Sequence, residues 1–158
     1  MSLKEEVELL RRIPMFAEIE PTKLKLLAFT SERVAFQPGE YLCHQGDLGE
    51  TAYIIVEGEA DVLIDNACGP HVVAHVKRND VVGEVSILCD VPRTASIKAT
   101  TRLVTLRISK QQFFRLMTEF PQIAIAVMRV IAHRLEQATL QLRRGDAVKK
   151  QADGEQAP

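Results

Sequence analysis

The sequence predicts a mainly β domain with flanking helices: an antiparallel sandwich or jelly-roll β-barrel, preceded by N-terminal helices and followed by C-terminal helices. Three observations predict it. Helical periodicity occupies both ends of the 158-residue chain, the period shortens to that of strands between residues 32 and 108, and Gly, Asp, Asn and Pro interrupt this middle region at close intervals. The length suits one domain, and 46% hydrophobic residues are enough for a core. The expected organisation is therefore one unit over residues 1–144, with helices at 3–29, the barrel at 32–108 and helices at 110–144. A polar tail over 145–158 is expected to be disordered.

At the N-terminus Val7, Leu9, Leu10 and Ile13 form an apolar stripe that stops at Pro14. Pro21 opens a second helix whose Leu24, Leu26, Leu27 and Ala28 face a core. Short β-branched runs follow at 51–57, 60–65, 72–76, 94–99 and 104–108. Turn signals separate them at Gln37-Pro38-Gly39, Gly46-Asp47, Glu57-Gly58-Glu59, residues 66–70 and Arg78-Asn79-Asp80. Gly39, Gly46, Gly49 and Gly58 read as turn glycines of the barrel. Helical periodicity returns at Lys110 and runs to about Leu142, interrupted at Phe120-Pro121. Along it Ala124, Met128, Ile131, Leu135, Ala138 and Leu142 recur in steps of four and three. Such a seam serves a homodimer through the C-terminal helix or packing on the domain's own barrel, and it is shorter than the three to four heptads of a coiled coil.

Composition excludes several classes. Lys and Arg total 20 against 21 Asp and Glu, a formal net charge of -1, so no general field draws nucleic acid or anionic lipid. No direct nucleic-acid contact is expected, and the polar tail is too short for a helix–turn–helix. Cys43, Cys68 and Cys89 are odd in number and lack C-x-x-C spacing, a pattern of reduced thiols in the cytoplasm. His44, His71, His75 and His133 show no ligand spacing and read as ordinary surface histidines, so no metal and no cupin-like enzyme are expected. No nucleophile–base pair stands out, and the chain reads as not an enzyme. The charged start is unlike a signal peptide, and no apolar run approaches the ~18 residues of a membrane span. A cytoplasmic protein is expected.

One stretch, residues 82–96, carries chemistry. It opens with Gly83-Glu84, passes through the apolar turn Val85-Ser86-Ile87-Leu88, and turns at Pro92 into Arg93-Thr94-Ala95. Gly83 lets a ligand approach the backbone, and the amides of Val85 and Ser86 lie in a first helical turn where donors are unpaired. Arg93 offers a fork of donors that matches two oxygens of a phosphate. Glu84 only accepts, and a carboxylate beside an anion site makes sense if the ligand carries a hydroxyl next to its phosphate, as a ribose does.

This stretch resembles the phosphate-binding cassette of the cyclic-nucleotide-binding domain family, catabolite-activator-like and protein-kinase-regulatory-subunit-like, written F-G-E-x-x-x-L-x-x-x-P-R-[ST/A]-A. Pro14-Met15-Phe16, Phe36-Gln37-Pro38-Gly39-Glu40, Gln45-Gly46-Asp47 and Tyr53-Ile54-Ile55-Val56-Glu57-Gly58 fall where that family has them, so the resemblance spans about residues 10 to 142. Two positions depart: Val82 stands for the usual Phe and Asn79 for the Gly of a Gly-Asp turn. The resemblance implies a cyclic nucleotide as ligand, without other cofactor, and an unidentified effector protein as partner. It implies that Glu84 accepts from the ribose 2′-hydroxyl, that Arg93 pairs with the cyclic phosphate, and that the amides of Gly83, Glu84, Val85 and Ser86 complete the cradle. Thr94 and Ala95 lie beside phosphate and purine, Val73 and Val76 line the base, and Leu135, Ala138 and Thr139 cap it. Cyclic AMP is favoured over cyclic GMP, although the Thr94 hydroxyl suits either. The expected function is a stand-alone sensory module, without an attached DNA-binding domain, whose C-terminal helix closes over the base as a helical lid. The alternatives are a nucleotide-free protein–protein interaction module of the same fold and the sensor domain of a larger channel or transcription regulator.

Overall fold

The computed structural model describes residues 3–13 and 16–155, side chains of 145–155 excepted. Pro14 and Met15, part of the N-terminal motif, and residues 156–158 lie outside the described residues. Helix α1 (Leu3–Arg11) buries Val7 and Leu10 against helix α2 (Pro21–Thr30), which contributes Leu24, Leu27 and Ala28. Pro21 sits in the first helical turn, where its missing N–H costs nothing.

Eight strands follow as two four-stranded antiparallel sheets. The first has the order β1 (Glu32–Phe36), β8 (Leu103–Ser109), β3 (Thr51–Glu57), β6 (Val81–Val82). The second has the order β2 (Tyr41–Cys43), β7 (Ser96–Ala99), β4 (Glu59–Asn66), β5 (Gly69–Lys77). No ladder joins the sheets among the described residues, so the expected closed barrel is instead a pair of sheets with a shared core. The reason lies at the edges: β6 has two residues and β2 three, too few to carry hydrogen bonding round both corners.

Strand β3 fixes the layering. Ala52 and Ile54 pack toward the helices, while Tyr53 and Ile55 pack between the sheets with Leu42, Ala60, Val76, Val82, Ile97 and Leu103. Burial on both faces explains why this strand reads as a continuous apolar run. Fully burying Ile54 and Ile55 stabilises by roughly 1.5–3 kcal/mol each. The strand expected at 94–99 begins at Ser96, because Thr94 and Ala95 bend out of the cassette. At Asn79 φ is +78°, so the residue adopts the left-handed turn that Gly would supply, which Asn tolerates better than most side chains.

Helix α4 (Lys110–Glu119) is capped by Ser109, whose hydroxyl accepts from the Gln112 amide at 3.2 Å. Pro121 then starts helix α5 (Pro121–Glu155). Ile123 and Val127 join the helix-side core and Ile131 packs against its edge, whereas Met128, Leu135 and Leu142 are exposed. Of the heptad seam, Ile131 packs against the core, while Met128, Leu135, Ala138 and Leu142 form a free face. Backbone helix continues through 145–155, part of the 145–158 tail expected to be disordered, which includes the good helix formers Ala147, Lys149, Lys150, Gln151 and Ala152. Among the described residues no helix is long and apolar enough to cross a membrane.

Candidate functional site

Strand β6 is held on β3 through the pairs Tyr53 with Val82 and Ile54 with Val81, then breaks at Gly83. There φ is +85°, and a Cβ would stand 2.4 Å from Nη1 of Arg93 and 2.9 Å from the carbonyl oxygen of Thr51. Only glycine fits both the dihedral and the space. Helix α3 (Glu84–Cys89) follows and ends at Asp90, again left-handed at φ +53°. With six residues, α3 presents local unpaired N–H groups in its first turn and little aligned dipole behind them.

Arg93 is buried, 6% exposed. Its backbone is clamped to the loop before β3: its N–H donates to the Asp47 carbonyl at 2.7 Å, and its carbonyl accepts from the Gly46 amide at 2.8 Å. The guanidinium is oriented in turn. Nη1 donates to the Gly83 carbonyl at 3.1 Å, and Nη2 donates to the Thr51 carbonyl at 2.6 Å and the Thr51 hydroxyl at 3.1 Å. A fork of five donors held this way has capacity left for an anion and little rotamer freedom left to lose.

Glu84 is 2% exposed and joins Arg93 at the same turn. Its Oε1 accepts from Nη1 of Arg134 on α5 at 2.6 Å, and Nη2 of Arg134 donates to the Val81 carbonyl at 2.9 Å. Burial pushes the Glu84 carboxyl above the usual glutamate range, while the charge and hydrogen bond of Arg134, and more weakly the charge of Arg93, pull it back. A positive group and an acceptor-only group thus sit within one short segment, each supported by a neighbouring element.

The other expected residues divide by position. Ser86 is buried and Val85 half-buried within α3, Ala95 is half-buried, and Thr94 is exposed beside Arg93. Val73 is exposed at a register shift between β4 and β5, whereas Val76 is sealed in the core between the sheets. Leu135 is 67% exposed, Ala138 is exposed, and the Thr139 hydroxyl donates to the Leu135 carbonyl at 2.9 Å, so these three do not cover the cassette in this structure. Arg134, one residue before Leu135, makes the contact instead.

Three participants escaped the sequence reading, among them Thr51, whose carbonyl and hydroxyl orient the Arg93 guanidinium. Arg134 continues the inward stripe of Ile123, Val127 and Ile131, and a charged residue on the core-facing side of a helix is the signal that could have found it. Gly49 is more than a turn residue: a Cβ there would lie 2.3 Å from Cβ of Ser86 and 3.1 Å from Nε of Arg93, so the loop backbone packs directly on the cassette. All three cysteines are free; burial raises the thiol of Cys43, opposed by the charge of Arg93.

A sequence profile described as the cyclic nucleotide-binding domain matches residues 33–120, more than half of the chain. The chain belongs to this family. The chain is similar to the cAMP-dependent protein kinase regulatory subunit of Blastocladiella emersonii, 34% identical over 109 residues, which cover 68% of this chain and 27% of that protein. The chain spans about a quarter of the length of the curated relatives it matches. Among solved structures, the regulatory subunit of a cAMP-independent protein kinase A from Trypanosoma brucei superposes with a TM-score of 0.71 at 26% identity, covering 81% of this chain and 46% of that one. The Thermus thermophilus catabolite activator protein gives 0.73 at 25% identity, covering 82% and 62%. Proteins similar to this chain thus include regulatory subunits of protein kinases and a catabolite activator protein.

Proposed function

We propose that this domain binds a 3′,5′-cyclic nucleotide, cyclic AMP in preference to cyclic GMP, and acts as a regulatory sensor in the cytoplasm without catalysing a reaction. Arg93 takes the cyclic phosphate, the amides of residues 83–86 complete the cradle, and Glu84 accepts from the ribose 2′-hydroxyl. The observation that carries this reading is the burial of Arg93 and Glu84 at one turn, with the Arg93 guanidinium already oriented by Gly83 and Thr51. Preorganisation of this kind lowers the cost of ordering the site on binding. Val73 and Thr94, both exposed, are left to line the base.

Closure is the proposed output. The exposed stretch of α5 over residues 132–144 moves so that Leu135 and Thr139 cover the purine, and ligand favours that state only by binding it more tightly than the open one. The signal passes to another protein, a kinase-like or other effector. One observation favours a second reading, a protein-binding platform: α5 exposes Met128, Leu135 and Leu142 along one side.

A thermal-shift series separates the two. A ligand at about a hundred times its Kd stabilises the folded state by ~2.7 kcal/mol. Melting is expected to rise with cyclic AMP, less with cyclic GMP, and not with adenosine, which lacks the phosphate. No rise with millimolar cyclic nucleotide would favour the platform.

A further inference from the structure

Glu84 is the most deeply buried carboxylate of the site, and its cation comes from α5, whose Ile123 and Val127 share the helix-side core with Val81 and Ile87. Nη1 of Arg134 donates to Oε1 of Glu84 at 2.6 Å and Nη2 to the Val81 carbonyl at 2.9 Å, so the guanidinium bridges α3 and β6. Around Arg134, residues 132–144 of α5 are all exposed. The stripe of Ile123, Val127 and Ile131 turns this face of α5 toward the domain, and beyond it the buried carboxylate holds Arg134. Arg134 engages one carboxylate oxygen, and a carboxylate has about four lone-pair sites, so capacity remains for a hydroxyl.

We propose that Arg134 is the positioning residue of the ribose acceptor: by bridging Glu84 and Val81 it fixes the carboxylate for the ligand's 2′-hydroxyl. This rests on the reading of Glu84 as the ribose acceptor. The charged groups acting on Glu84 are Arg134 from α5 and, more weakly, Arg93 from the loop after α3; β3 contributes the uncharged Thr51 and β6 the Val81 carbonyl. Burial already favours the neutral carboxyl, and loss of Arg134 removes the larger opposing charge. A neutral carboxyl is a weaker acceptor than a carboxylate. An ordinary helix-to-sheet ion pair would affect stability without choosing between two sugars.

The test is calorimetric titration of the wild type, Arg134→Gln and Arg134→Lys with cyclic AMP and with its 2′-deoxy analogue. Wild type is expected to prefer the ribose ligand by roughly tenfold or more, the usual worth of a hydrogen bond to a charged group. In Arg134→Gln the preference should collapse to about twofold or less, because the acceptor is no longer held in place. Arg134→Lys, which keeps the charge but not the fork, should fall between the two. If Arg134→Gln weakens both ligands by the same factor and keeps the wild-type preference, the proposal is overturned. Should that variant melt below the titration temperature, an undiminished preference in Arg134→Lys overturns it and a diminished one supports it. A wild type that ignores the 2′-hydroxyl would instead overturn the role of Glu84, and this inference with it.

Discussion

Nη2 of Arg93 reaches across 42 residues of sequence to donate to the backbone carbonyl of Thr51 at 2.6 Å. The cassette arginine is therefore anchored on the first residue of β3, a strand buried on both faces, and inherits that strand's rigidity. Replacing Arg93 by Lys keeps the charge but cannot serve Gly83, Thr51 and a phosphate together. Affinity for cyclic nucleotide should fall at least tenfold, about 1.4 kcal/mol. Stability should fall by about 1–3 kcal/mol because buried carbonyls lose their donor. Titration and urea unfolding read the two losses separately.

Gly49 sets how closely the loop before β3 approaches the cassette. A methyl group at this position overlaps Ser86, 2.3 Å from its Cβ, and crowds Nε of Arg93. Gly49→Ala is expected to destabilise by about 1–3 kcal/mol through overpacking and to weaken ligand binding by displacing the arginine. Adding Ser86→Gly to Gly49→Ala removes the overlapping atoms and should restore part of both losses. Thermal melts of the two single variants and the double variant check this coupling.

The raised Glu84 carboxyl makes stability depend on pH. Between the ordinary glutamate value and the raised one, the folded protein holds a proton that the unfolded chain has released. The unfolded state then binds fewer protons, so unfolding free energy falls as pH rises through that window. Glu84→Gln should flatten this part of the curve. Urea unfolding at a series of pH values compares the two slopes.

Leu135 and Thr139 test the lid. Both stand on the exposed side of α5 in this structure, so Leu135→Ala should leave the stability of the protein within about 0.5 kcal/mol of wild type. If α5 closes over the base, the same substitution should speed dissociation of cyclic AMP several-fold. Stopped-flow displacement of a fluorescent cyclic nucleotide measures it; an unchanged off-rate would leave Leu135 outside the lid.

Much of this architecture was legible in the residues. Strand β3 coincides with its apolar run at 51–57, and the breaks at Pro21 and Phe120-Pro121 mark helix boundaries because proline forbids the alternatives. The short strands β1, β2 and β6 were hidden: two to five residues give too little alternation to detect. Within the site, Gly83, Glu84 and Arg93 lie in one contiguous segment, and local spacing alone brings them together. Gly49 meets Ser86 from 37 residues away, Thr51 meets Arg93 from 42 and Arg134 meets Glu84 from 50, through β3 pairing and the path of α5, which no local pattern encodes. The helix contact differs from the expected one by a single residue for a related reason. Apolar Leu135 looks like the natural contact, but the group that the helix faces is a buried carboxylate, and it selects Arg134.

The most direct measurement is calorimetric titration of purified wild type and Arg93→Ala with cyclic AMP. A phosphate held by a buried, preoriented guanidinium predicts saturable 1:1 binding by wild type and a loss of ~2–5 kcal/mol in the variant. Equal affinity in the two proteins would contradict it.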